Sequence, residues 1–181
     1  MSRNVNVVIL CEDQQQEVFA RRFLVCRGYN RRRFRVERNS DGRGSGEQYV
    51  RVRFPKELET YRERSHHVQQ ALVVVIDADR LGVPARLDQL ERACDEAGMV
   101  RRREKERVPV FVPARNIETW LAYLEGKEVD EQTKYPKLER PRHCQRYVDR
   151  LYEMCQQREL RQPAPPSPEA ACDEYRSRLL R

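Results

Sequence analysis

Two apolar runs that end in carboxylates constrain this chain more than anything else in it. Val7-Val8-Ile9-Leu10-Cys11 runs straight into Glu12, and Leu72-Val73-Val74-Val75-Ile76 runs straight into Asp77-Ala78-Asp79. Neither run alternates with polar residues, as a half-exposed strand would. Uninterrupted apolar runs of this length read as strands buried on both faces, the habit of parallel sheets covered by helices. Ligands in such sheets sit beyond the carboxyl ends of the strands. If the two strands lie side by side, Glu12, Asp77 and Asp79 gather at one acidic pocket.

The rest of the chain supplies the helices such a sheet needs. A strand is expected over 5–11 and a helix over 14–27, stopped by Gly28. The basic stretch 31–37 reads as a second strand near an edge. A helix from Ser45 towards Ser65 is expected to bend or split at Pro55. A third strand covers 71–76, and a helix runs from Pro84 to Gly98. Residues 108–112 form a short lateral strand, because Pro109 removes a ladder hydrogen bond. A further helix spans Asn116 to Gly126. Beyond it come a helix over 141–157, a stiff proline-rich break over 163–168 and a last short helix. The expected fold class is α/β, a mostly parallel four-stranded sheet with helices on both faces. Residues 1–126 would form the catalytic domain, with a C-terminal helical extension over 127–181 packed on it.

The surface is strongly charged. Asp, Glu, Lys and Arg make up 36% of 181 residues and the formal net charge is +7, which favours acidic partners, nucleic acid first. The basic residues are nearly all arginine, suited to bidentate phosphate contacts; a GC-rich coding sequence would give the same bias. The six cysteines show no CxxC spacing, so reduced thiols are expected rather than a disulfide frame or a zinc knuckle. No apolar run approaches a membrane span, and Met1-Ser2-Arg3-Asn4 opens no signal-like segment. The expectation is a cytoplasmic protein with no membrane partner.

A carboxylate at one strand end and an Asp-x-Asp at another suit a hard dication, Mg²⁺ or Mn²⁺, which takes a few carboxylates and leaves other positions to water and phosphate. The competing explanation is that Glu12 and Asp13 start a helix and Asp77 and Asp79 lie in a loop.

These segments resemble the Toprim fold, shared by topoisomerases, bacterial primases and the overcoming-lysogenization-defect nucleases. The resemblance rests on Val8-Ile9-Leu10-Cys11-Glu12, on Val74-Val75-Ile76-Asp77-Ala78-Asp79, and on Ile117-Glu118-Thr119-Trp120-Leu121, which is similar to a segment of small stand-alone Toprim-like proteins. It covers roughly residues 5–125. It implies a Rossmann-like fold, with Glu12 as metal ligand or general acid/base and Asp77 and Asp79 as ligands. Glu118 would complete the pocket, and an ATPase partner in phage defence would be encoded separately. The family's second acid falls four residues after the first; here that position is Gln16, and Glu17 follows one place late. A one-metal reaction, or a ligand set using Glu17 or Glu118, stays open.

Asp41-Gly42-Arg43-Gly44-Ser45-Gly46 follows a strand and opens a helix, so Arg43, Gly44, Ser45 and Gly46 are candidates for phosphate contact. Arg80, next to the Asp-x-Asp, is another. A flexible loop with Ser45 as a helix cap explains the same residues. No Gly-Lys-Ser/Thr motif follows, so ATP hydrolysis is not expected of this chain alone. Lys134 and Lys137 are candidates for supporting developing charge near the site. Together these features lead to an expected metal-dependent nuclease acting on DNA, ahead of RNA. A non-catalytic subunit that docks an ATPase is the main alternative, and a ribonuclease the next.

Overall fold

The computed structural model describes residues 4–40, 42 and 44–180. Four strands form one all-parallel sheet in the order β2-β1-β3-β4. They are β1 (Asn6–Cys11), β2 (Phe34–Arg38), β3 (Gln70–Val75) and β4 (Val110–Phe111). The apolar runs occupy the two central positions, β1 and β3, where both faces must be buried. Alternate side chains then serve two cores. Val7, Ile9, Cys11, Ala71, Val73 and Val75 face one, and Leu10, Leu72, Val74 and Ile76 face the other.

Helices α2 (Gly46–Ser65) and α3 (Val83–Glu96) cover the second face. The first face is covered by α1 (Gln14–Cys26), α4 (Ile117–Glu125), α5 (Gln145–Gln157) and α6 (Pro166–Leu179). Residues of the 127–181 stretch, among them Tyr147, Leu151 and Tyr175, share a single core with β1 and β3. Phe23 of α1 stands edge-on to Tyr175 at 5.0 Å between ring centres. Among the described residues no helix is long and apolar enough to cross a membrane.

Several expectations change. Helix α2 is not split: it runs unbroken through Pro55. The proline forfeits one backbone bond and clashes locally, and the burial of Phe54, Pro55 and Leu58 on the same stretch offsets that cost. The proline-rich break is half helix. Pro166 and Pro168 lie in the first turn of α6, where a missing N–H costs nothing, and α6 is 14 residues rather than short. The thiols are not all free: Cys155 of α5 and Cys172 of α6 form a disulfide, with Cα atoms 5.0 Å apart. Cys11, Cys26, Cys94 and Cys144 are free.

The fourth strand is shorter than 108–112 for a definable reason. Leu72, Val74, Ile76 and Ala78 donate in turn to the carbonyls of Arg107, Pro109, Phe111 and Pro113, so the chains run together for seven residues. In this register the N–H groups of positions 109 and 113 should return the bond to Leu72 and Ile76. Both are prolines, and the two-way ladder survives only at Val110–Phe111. The outward N–H of Val110 is taken by Glu174 of α6 at 2.9 Å, which closes this sheet edge.

Candidate metal centre

Strand order reverses between β1 and β3, and the carboxyl ends of these two strands are where the acids meet. Glu12 leaves β1 with its side chain turned across the gap. Its Oε1 accepts the N–H of Asp77 at 2.5 Å. The turn behind it is fixed by a reciprocal cap. Asp13 Oδ1 accepts from Gln16 N and Gln16 Oε1 accepts from Glu12 N, both at 2.9 Å. Position 16 therefore holds an amide because it closes the start of α1, in the manner of a capping box shifted by one residue.

Gly46, at the start of α2, lies against Glu12. A methyl group placed there would come 2.8 Å from Glu12 Cβ and 3.0 Å from Oε2. This glycine makes room for the carboxylate. Ser45 caps α2 through Gln48 N at 3.3 Å. Gly44 and Ser45 border a separate groove with Tyr49 and Lys56, not the acidic cleft. Arg43 lies outside the described residues.

The cleft itself, about 510 Å³, opens beyond β3. Asp13, Asp77, Asp79 and Glu118 line it together with Arg80, Arg115, Lys134 and Lys137. Asp77, Asp79, Glu118, Arg80, Lys134 and Lys137, all singled out from the sequence, are thus brought to one cavity. Glu17 is not: its carboxylate is held by Arg21 at 2.9 Å and Arg38 at 3.1 Å, towards β2. Glu12 stands behind the cleft wall rather than on it, reaching the site through Asp77.

Two carboxylate oxygens are orphaned. Asp77 Oδ1 and Glu118 Oε1 are both buried and lack a hydrogen bond of ordinary geometry, as does Gln16 Nε2, whose side chain lies close enough to Asp77 to pull its carboxyl down. Glu118 is 2% exposed, in the first turn of α4. Burial, then the charges of Glu12, Asp13 and Glu118, pushes the Asp77 carboxyl well above its ordinary range. Glu12 is lifted to about 7, by burial first and by Asp79 among its neighbours, against the pull of the Asp77 N–H. Glu118 is also raised by burial, and Lys137 works against the shift.

Asp79 behaves differently. It is exposed, sits in the left-handed region at φ 51°, and its N–H donates to Arg115 O at 3.0 Å. Its Oδ2 accepts from Arg86 Nη2 at 2.8 Å. Arg86 is the residue that the sequence did not disclose. It is 2% exposed and also donates to Asp77 O at 2.8 Å, Glu47 Oε2 at 2.8 Å and Gln89 Oε1 at 2.7 Å. Among the described residues no three His, Cys, Asp or Glu side chains converge closely enough to hold an ion as they stand. A scan against protein-family models, a search of curated proteins and a search of solved structures each returned no match.

Proposed function

We propose that this chain is a divalent-metal-dependent nuclease that hydrolyses nucleic-acid phosphodiester bonds, with DNA as its substrate. The observation that carries the reading is the pair of partnerless buried oxygens, Asp77 Oδ1 and Glu118 Oε1, at one basic-rimmed cleft. A buried carboxylate oxygen without a partner is costly, and a dication would relieve both at once. Mg²⁺ is commonly held by one or two carboxylates, with waters and substrate phosphate completing its shell. Asp77 and Glu118 fit that demand; among the described residues no three acids form a closed cage.

A bound Mg²⁺ or Mn²⁺ would polarise the phosphate and acidify a coordinated water. The chain's own residues supply the rest. Glu12 fixes the backbone of Asp77 and so aims its carboxylate. Its Oε1 is engaged by the Asp77 N–H, and burial raises the Glu12 carboxyl to about 7. Arg80, Arg115, Lys134 and Lys137 line the cleft without an ion-pair partner among the described residues and would seat phosphate oxygens. An ATPase acting in trans, expected from the Toprim resemblance, belongs to the same proposal.

Plasmid nicking in Mn²⁺ tests it. Wild type should nick, and Asp77→Asn and Glu118→Gln should not. Equal nicking by all three contradicts the assignment. A second reading, a phosphate-binding subunit without catalysis, is favoured by the Asp79–Arg86 pair, which leaves the acids unconverged. On that reading, oligonucleotide binding needs no dication and survives Asp77→Asn.

A further inference from the structure

We propose that Arg86 is a built-in second cation that removes Asp79 from the ligand set, so the cleft takes one divalent ion, on Asp77 and Glu118, rather than two. This rests on the metal-centre reading above and adds its stoichiometry and the role of one arginine.

The geometry is that of a fixed counter-ion. The Arg86 side chain is 3% exposed, and its Nε, Nη1 and Nη2 are all engaged, by Asp77 O, Glu47, Gln89 and Asp79. A guanidinium stays charged at any working pH. Unlike a bound ion, it cannot leave. It ties the first turn of α2, through Glu47, to the end of β3, through Asp77 and Asp79.

Asp79 is committed through one oxygen, Oδ2, while its side chain stays 57% exposed. Its backbone is clamped against Arg115, and a left-handed φ is a conformation that Asp and Asn tolerate better than other side chains. The residue type at position 79 is therefore accounted for by backbone shape and by Arg86, without metal ligation. With Glu47 paired to both Arg51 and Arg86, Asp79 paired to Arg86, and Asp13 Oδ1 accepting from Gln16 N, the carboxylate oxygens among the described residues that are buried and without a partner are those of Asp77 and Glu118. Two such carboxylates suit one dication, whose other positions water and phosphate can fill.

The test is a Mn²⁺ titration of the whole chain, followed by electron paramagnetic resonance and calorimetry. Wild type should bind one ion, and Asp79→Asn should bind the same ion with little change in affinity. Arg86→Met, similar in length and uncharged, should gain a second, weaker ion that disappears in the Arg86→Met/Asp79→Asn double variant. Two ions in wild type overturn the inference. So does a loss of about tenfold or more in Asp79→Asn, the usual cost of removing a group that holds a metal site together. If Arg86→Met does not fold, the wild-type and Asp79→Asn titrations decide. Absence of any Mn²⁺ binding by wild type overturns the nuclease reading, and this inference with it.

Discussion

Glu12 Oε1 lies 2.5 Å from the peptide nitrogen of Asp77 and accepts its N–H, so the carboxyl ends of β1 and β3 are joined by a side chain of one and the backbone of the other. That bond sets the register of the site. Replacing Glu12 by Ala leaves the Asp77 N–H unpaired. The urea midpoint should fall by the equivalent of about 1–3 kcal/mol. Glu12→Gln keeps an acceptor oxygen and should lose much less. Equal losses would mean that the bond does not hold the strand ends.

Gly46 makes a prediction with an unusual sign. Gly→Ala inside a helix ordinarily stabilises by about 1 kcal/mol. Here the added methyl group would sit 2.8 Å from Glu12 Cβ. Overpacking costs about 1–3 kcal/mol, so Gly46→Ala should lower Tm by roughly 2–12 °C in a chain of this size. In the double variant with Glu12→Ala most of that loss should remain, because alanine removes the 3.0 Å contact with Oε2 but keeps the Cβ at 2.8 Å. A rise in Tm for Gly46→Ala alone contradicts the close approach.

The pH dependence has a definite direction. Glu12 is raised from 4.5 to about 7 in the folded chain, chiefly by burial. Between those values the folded state holds a proton that the unfolded state has lost, so stability falls as pH climbs through this window. The neighbouring Asp77, raised by burial and by Glu12, acts in the same direction. Urea midpoints from pH 4.5 to 8 should decline in wild type and decline less in Glu12→Gln. Saturating Mn²⁺ should flatten the part of the wild-type decline that comes from Asp77, because the ion takes the place of that proton. Stability that rises through this window would contradict the raised carboxyls.

Glu174 tests how the C-terminal helix protects the sheet. It accepts the outward N–H of Val110 at 2.9 Å and pairs with Arg102 and Arg178. Glu174→Ala should lower the denaturation midpoint by the equivalent of about 1–3 kcal/mol and speed amide exchange at Val110. Unchanged exchange at that amide would mean that the edge is protected by something else.

The central strands were legible because β1 and β3 consist of the two uninterrupted apolar runs, and a run buried on both faces leaves little choice of neighbours. The edges were less so. Pro109 announced a lateral β4, but its two-residue extent depends on the joint placement of Pro109 and Pro113 against Leu72 and Ile76, a matter of register. Asp77 and Glu118 could be picked out because each follows a strand or starts a helix at the sheet's carboxyl edge. Arg86 could not. In the sequence it is one arginine among many on a polar helix, and its burial comes from the convergence of Glu47, Asp77, Asp79 and Gln89. The Cys155–Cys172 pair was hidden for the same reason: its partners lie on separate helices that meet only in the fold.

Calorimetric titration of Mn²⁺ into wild type, Asp77→Asn and Glu118→Gln tests the central claim most directly. The account predicts binding by wild type that is lost or strongly weakened in both variants, with the fold retained by circular dichroism. Undiminished binding in both variants, or no binding by folded wild type, would contradict it.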